Sequence, residues 1–304
     1  MDKSLKGDPF VNRYRFTGTL ITRSPLHIGT GESSDARDKR VRKNDEKANE
    51  VSLVIKDYRG KPMIPGSTLR GVMRHWSFNI LSAGFGSQWA ANRNYQDPGL
   101  ANLSQEEQIA VIKRDFSWLE LLFGTPFHEG KIEIWDALCQ TGHLNTSDTL
   151  LGWDPTSLTY IDTSVAINPV TGTALEDYLY NAEVVPPGIK FEFNLVAQNL
   201  SEVEIGLILF PLKGFNSDIY PIRLGARGGR GFGLMKYIPG NIFGLEAENL
   251  KTWIETTLSG IGSEADDANL KNNNAGYFAL PVLEEGYKKQ LIQNVKEQLR
   301  KEMG

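Results

Sequence analysis

Hydrophobic and polar residues alternate in two segments of the chain. Residues 13–22 (RYRFTGTLIT) and residues 188–197 (GIKFEFNLVA) place aromatic and β-branched side chains at about every second position, which is the pattern of a strand with one buried face. Shorter apolar runs at 51–56, 132–137 and 233–237 are also predicted to be strands.

Helical spacing appears first after the turn PMIPGS. The apolar residues that follow it recur every three or four positions and predict a helix with one buried face; they are Leu69, Val72, Met73, Trp76 and Ile80. Ser67 is predicted to cap this helix at its N-terminus.

Two further helices are indicated by Ser-x-x-Glu capping boxes. Ser104 with Glu107 starts a helix that is predicted to run to about residue 122, and Ser201 with Glu204 starts one that runs to about residue 212. The resulting order of strand, helix, strands, helix and strand is that of a ferredoxin-like α+β fold.

The 304 residues are expected to form one domain with insertions, followed by a helical extension that ends in a polar amphipathic helix. The expected units are a core over 1–240, a mobile loop at 29–50, an insertion at 84–112, an excursion from the core at 155–187 and the extension over 241–304.

Composition narrows the function classes. The single cysteine, Cys139, excludes a disulfide framework and a cysteine-based zinc site. The sequence has neither an apolar run long enough to span a membrane nor a signal-peptide core, so a cytoplasmic location is expected.

Residues 1–80 carry 16 Lys and Arg against 9 Asp and Glu, although the whole chain has a net charge of −4. The local field at such a basic region attracts polyanions.

The segment LGARGGRGFG (residues 224–233) is the strongest candidate binding loop. Its glycines allow backbone conformations that other residues avoid, and Arg227 and Arg230 supply donors suited to phosphate. The segment matches neither the P-loop nor the dinucleotide fingerprint. It therefore indicates a clamp on a phosphodiester chain, with a tight structural turn as the alternative.

A second candidate site lies at residues 62–74 (PMIPGSTLRGVMR). The turn places Ser67, Thr68 and backbone N–H groups at a helix N-terminus, where anions bind readily. Arg70 and Arg74 are four residues apart and share one helix face. An ordinary capped helix with two solvated arginines is the alternative.

These two motifs resemble those of the RAMP superfamily of CRISPR-associated RNA-binding proteins. Three further segments agree in order: LHIGTGE at 26–32, LFG at 122–124 with KIEIWDA at 131–137, and the segment at 161–193 that is similar to one in backbone subunits of type III effector complexes. The resemblance covers residues 13–238, and a type III-D-like system is the subtype it suggests.

The resemblance implies that copies or paralogues stack along a guide (CRISPR) RNA, together with complementary target RNA and the large signature subunit of a type III complex. It assigns the guide backbone to Ser67, Thr68, Arg70, Arg74, Arg227, Gly228, Gly229, Arg230 and Gly231. The segment 155–187 would be a thumb hairpin that wedges between bases, with Val165, Ile167 and Pro169 as the inserting residues.

Catalysis is an open expectation. Catalytic members of such complexes carry an aspartate in the loop after the first strand, where Mg²⁺ or another divalent cation assists cleavage of target RNA. Here the candidates are Asp35, Asp38, Asp45, Glu46 and Glu50, and Asn49 and Glu50 stand where the pattern has Asp. Two alternatives remain: a repeat-specific endoribonuclease that matures the guide, and an adaptor without direct RNA contact.

Overall fold

The computed structural model describes residues 3–34, 51–91, 99–142, 150, 152–167 and 170–260, with six helical positions between 293 and 301. Within these residues the strands are β1 (Asn12–Thr22), β2 (Gly29–Ser34), β3 (Val51–Val54), β4 (Met63–Ile64), β5 (Ile132–Ile134), β6 (Ala137–Leu138), β7 (Tyr160–Ile167), β8 (Ala174–Val184), β9 (Lys190–Gln198) and β10 (Met235–Glu246). The helices are α1 (Gly66–Phe85), α2 (Gln105–Asp115), α3 (Trp118–Phe123), α4 (Glu202–Gly214) and α5 (Leu250–Gly260).

The central sheet has the strand order β10-β1-β9-β5, and all neighbouring pairs are antiparallel. Alternate residues of β1, among them Tyr14, Phe16 and Leu20, are buried and join one core with Leu69 and Met73 of α1 and with residues of α4. This strand order with two helices packed on one face is the ferredoxin-like arrangement. The predicted α+β fold class is confirmed.

A second sheet, ordered β2-β3-β8-β7, contains the predicted excursion. Strands β7 and β8 form an antiparallel hairpin, and β3 pairs with β8 in parallel at Val51 with Asn181. Residues 29–34 were predicted as the start of a loop but form β2, which pairs with β3. The base of the hairpin belongs to the core, since Ala182 and Val184 are fully buried.

The helix predicted from 105 to about 122 is two helices. Both predicted capping boxes are present, at Ser104 with Glu107 and at Ser201 with Glu204, but Ser117 and Glu120 form a third one that starts α3. Every residue of α3 is buried. A helix that is buried on all sides shows no amphipathic period, so the sequence pattern did not reveal the break.

The last strand extends beyond the predicted one. It was expected to end at Tyr237, but β10 runs to Glu246 and pairs with β1 over its whole length. In the C-terminal segment, Asn294 lies in a cleft beside Glu246 and Lys296 in one beside α4. Among the described helices, none is long and apolar enough to cross a membrane.

Candidate nucleic-acid interface

The N-terminus of α1 is built by contacts between two of the quoted motifs. The backbone N–H of Gly66 donates to Oδ1 of Asp136 at 2.8 Å, and a Cβ at Gly66 would lie 2.0 Å from the carbonyl oxygen of Ile134. The helix therefore begins at Gly66, with a carboxylate from another segment at its positive end. The prediction that Ser67 caps the helix is wrong. Ser67 is an exposed residue of the first turn.

Arg70 and Arg74 bind the third motif, LFG. Arg70 donates to the carbonyl oxygen of Phe123, and Nη1 of Arg74 donates to that of Gly124 at 3.0 Å. These carbonyls end helix α3 and carry its partial negative charge. Burial and the nearby Arg74 lower the pKa of the Arg70 guanidinium. Both arginines thus join α1 to α3, and Thr68 beside them is half-buried.

The glycines of the Gly-rich loop have two different roles. A Cβ at Gly225 would lie 2.1 Å from the carbonyl oxygen of His27, and a Cβ at Gly233 would lie 2.0 Å from that of Leu224. Both residues have positive φ, so the base of the loop requires glycine for packing. At the tip, Gly229 and Gly231 have open space where a Cβ would lie.

The tip of this loop contacts the β7–β8 hairpin. Nη1 of Arg227 donates to Oδ2 of Asp162 at 2.7 Å, and the guanidinium of Arg230 lies 5.9 Å from the ring centre of Tyr180. Arg227 has a φ of 64°, an uncommon conformation for a residue other than glycine. Gly228 starts a single 3₁₀ turn that presents the exposed Arg230 to solvent.

The residues proposed to wedge between bases lie toward the far end of the hairpin. Val165 is exposed in β7, and Ile167 ends that strand opposite Ala174. Pro169 lies outside the described residues. Val170, which the sequence reasoning did not select, is exposed on the other side of the turn.

The carboxylates proposed for catalysis cannot be placed, because they all lie outside the described residues: Asp35, Asp38, Asp45, Glu46 and Glu50. The two ends of their loop are placed, since Ser34 pairs with Val51 and Val51 pairs with Asn181 of β8. In the part of the chain that the structure describes, no group of three or more His, Cys, Asp or Glu side chains is arranged to hold a metal ion.

Two histidines, His27 and His128, are held within the fold by hydrogen bonds. Nδ1 of His27 lies 2.7 Å from the carbonyl oxygen of Glu183, and its Nε2 lies 3.3 Å from Oγ of Ser52. The ring nitrogens of His128 lie 2.6 and 3.0 Å from the carbonyl oxygens of Glu129 and Glu120.

The sequence reasoning missed two acidic residues of this site. Asp162 and Asp136 were not selected, although both lie in segments that carry the family resemblance. Neither spacing nor periodicity shows which distant backbone or guanidinium group a lone carboxylate will meet. In the structure they fix the Gly-rich loop and the start of α1.

The comparison with protein families agrees with this architecture. The family model of the RAMP superfamily matches residues 19–236, more than two thirds of the chain. No curated protein matches the chain significantly. The matched region contains α1, α3, the hairpin and the Gly-rich loop. The chain belongs to the RAMP superfamily, whose members are CRISPR-associated RNA-binding proteins that assemble with other Cas subunits.

Proposed function

We propose that the chain is a backbone subunit of a type III CRISPR effector complex and holds the guide RNA and the complementary target RNA. The observation that carries this proposal is the contact of Arg227 with Asp162 and of Arg230 with Tyr180. Because of it, the loop that is assigned to the guide backbone and the hairpin that is assigned to base insertion form one continuous surface.

The charge of the Gly-rich loop suits a phosphodiester chain. Residues 219–237, which include this loop, contain four basic residues and no acidic residue; the basic residues are Arg223, Arg227, Arg230 and Lys236. Arg230 and Arg223 are exposed, and a guanidinium donates to phosphate oxygens with a fixed fork of N–H groups. The segment therefore supports sequence-independent binding of RNA, as a subunit that carries any guide requires.

The partners under this proposal are guide RNA, target RNA, paralogous RAMP subunits and the large signature subunit of the complex. The type III-D-like subtype is part of the proposal and rests on the resemblance, with the additions at 84–112 and after residue 240 distinguishing this subunit from paralogues.

A paired charge-removal experiment tests RNA binding. The R227Q/R230Q variant removes two positive charges from the Gly-rich loop, and R114Q/K251Q removes two from exposed positions on α2 and α5. We expect only the first variant to lose co-purified RNA. Its dissociation constant should also depend less steeply on salt, because each lost phosphate contact on a single strand lowers the slope by about 0.7. Equal RNA content in both variants would favour the alternative function, an adaptor without direct RNA contact.

Cleavage of target RNA is the second part of the proposal. Carboxylate oxygens are ligands that Mg²⁺ prefers, and the loop that carries the five candidate acids leaves β2 and returns in β3 beside the hairpin. The assembled, guide-loaded complex should cut end-labelled complementary RNA with Mg²⁺ and not with EDTA. Changing the five acids to Ala should abolish the cut and preserve RNA binding; an unchanged band pattern would assign the cleavage to other subunits.

The alternative, a repeat-specific endoribonuclease, would act alone on stem-loop RNA with a general acid and base, usually including histidine. His27 and His128 are both engaged with backbone carbonyls, which favours the backbone role. Processing of repeat RNA by the isolated chain would reverse this preference.

A further inference from the structure

Helix α4 contains a stretch that is apolar on all sides. Residues 205–212 (IGLILFPL) include no polar side chain and make more than two helical turns. A helix that is apolar all round requires burial on every side. Ile208 and Leu212 are buried in the core, whereas Leu209 and Phe210 are half-buried. The outer side of α4 therefore requires a cover.

The C-terminal segment, residues 286–304, lies beside this stretch, and its described positions are helical. Lys296 lines a cleft of about 390 Å³ that also contains Leu209. Asn294 lines a second cleft, of about 350 Å³, that also contains Ile205. Residues two positions apart on a helix project about 200° apart. The segment therefore lies between the two clefts, beside α4.

The sequence of the C-terminal segment is that of an amphipathic helix. Ile292, Val295 and Leu299 are spaced by three and four positions, so a helix places them on one face. These three residues lie outside the described part of the chain. The described positions away from that face are polar and exposed; they are Gln293, Glu297, Arg300 and Lys301. The segment thus has a polar face in solvent and an apolar face that requires a partner.

The charges of the segment and of the surface beside it are complementary. The cleft with Asn294 has Glu202, Glu246 and Glu248 in its wall, and none of the described residues that line it is basic. Residues 286–304 carry five Lys and Arg against two Glu. Complementary charges at a contact favour the correct partner and fix its register. A basic amphipathic helix therefore suits this acidic rim.

We propose that the surface between α4 and β10 is a helix-binding site and that residues 286–304 of the same chain occupy it. Ile292, Val295 and Leu299 pack against the outer side of α4, and Ile242 extends the apolar surface toward β10. The segment thereby covers an apolar patch of a kind that otherwise binds other proteins. Neither this site nor its test depends on RNA binding.

Hydrogen exchange of the full-length chain tests the site. V295D/L299D places two charges on the apolar face, and the control Q293D/K301D places two aspartates at exposed positions of the same helix. We expect slow exchange of the backbone amides of residues 291–302 in the wild type and in the control. In V295D/L299D this protection should fall about a hundredfold, because burial of each Val or Leu is worth at least about tenfold. The amides of β1 should keep their protection in all three proteins.

A peptide measures the same contact between separate molecules. A fluorescently labelled peptide of residues 286–304 should bind V295D/L299D, in which the site is vacant. It should bind the wild type at least about tenfold more weakly, because a segment of the same chain competes at a high effective concentration. The same peptide with both aspartates should bind neither protein.

The possible results decide between occupants. Equal exchange of residues 291–302 in the wild type and V295D/L299D would overturn the site. Protection that rises with protein concentration, together with a dimeric mass, would assign the site to the segment of a second copy and overturn its occupation within one chain. If V295D/L299D also loses protection in β1, the milder V295A/L299A takes its place. Faster exchange confined to residues 291–302 is then the expected result, and unchanged exchange would overturn the site.

Discussion

Arg227 and Asp162 form a charge-assisted hydrogen bond of 2.7 Å between the Gly-rich loop and the β7–β8 hairpin. Both side chains are largely shielded from solvent, so the pair is screened less than a surface ion pair. The carboxylate holds the guanidinium in place and also offsets its charge. An RNA phosphate that binds Arg227 must therefore compete with a resident anion.

Removal of this competitor should strengthen RNA binding. We expect D162N to bind single-stranded RNA roughly two- to fivefold more tightly, in line with the modest energy of partly exposed ion pairs. Asn keeps a hydrogen-bond acceptor beside Arg227 without the negative charge. E248Q removes the same charge from an exposed position beyond β10 and serves as the control. Weaker binding by D162N would show instead that the carboxylate is needed to orient Arg227.

Tyr237 should make the fold sensitive to alkaline pH. Its hydroxyl donates to the carbonyl oxygen of Thr17 at 3.0 Å, and burial raises the pKa of Tyr237 to about 12, against about 10 for an unfolded tyrosine. The stabilisation is complete below pH 10, where both states are protonated, and is lost between pH 10 and 12, when only the unfolded state ionises. The loss approaches about 2.7 kcal/mol for a shift of two pKa units.

The measurement is the free energy of unfolding as a function of pH for the wild type and Y237F. The difference between the two proteins should shrink as the pH rises through this window. Parallel curves would contradict the buried, protonated state of Tyr237.

The buried ion pair of Lys131 and Glu204 should be costly to break. Nζ of Lys131 lies 2.8 Å from Oε2 of Glu204 and also donates to Ser4 and to the backbone of Asn199. Both charged side chains are fully buried. K131M should lower the free energy of unfolding by about 3–5 kcal/mol, because it leaves an unpaired buried charge.

The double variant K131M/E204Q provides the control, since it removes both charges and retains an amide that can accept from Ser201. It should unfold at higher denaturant concentration than K131M alone. Strict additivity of the two single changes would show that the pair is not coupled.

Gly66 and Gly84 should respond in opposite ways to the same substitution. G66A places a methyl group against the carbonyl oxygen of Ile134. Because both the methyl group and this oxygen are fixed to the backbone, the overpacking should cost about 1–3 kcal/mol. G84A meets no neighbour and should be neutral or stabilising by up to about 1 kcal/mol, because alanine favours the helix. Thermal unfolding of both variants checks the difference. Equal melting temperatures of G66A and G84A would contradict the close packing of Gly66 against Ile134 at the start of α1.

The sequence predicted the parts of the fold that are set by local patterns. Alternation revealed β1 and β9, and two capping boxes located the starts of α2 and α4. Pairings between segments that are distant in the chain could not be predicted from the sequence. The parallel contact of Val51 with Asn181 joins residues 130 positions apart, and neither strand shows which neighbour it will take.

The candidate site shows the same division. The four-residue spacing of Arg70 and Arg74 predicted one shared face correctly. The partner of that face was not predictable, since the carbonyl oxygens of Phe123 and Gly124 become available only where α3 ends against α1. The glycines of residues 224–233 were read as a group, and only the packing at Gly225 and Gly233 separates structural glycines from open ones.

The position of β1 in the central sheet has a consequence for biosynthesis. Its two neighbours are β9 and β10, and Arg13 pairs with Gln198 and Leu245. At a translation rate of roughly 5–20 residues per second, roughly ten to forty seconds pass between the synthesis of β1 and that of β9, and more before β10 is synthesised. During that time its apolar face and both strand edges are exposed on the nascent chain. Folding of the core is therefore completed only late in synthesis, and β1 is the segment that we expect chaperones to protect.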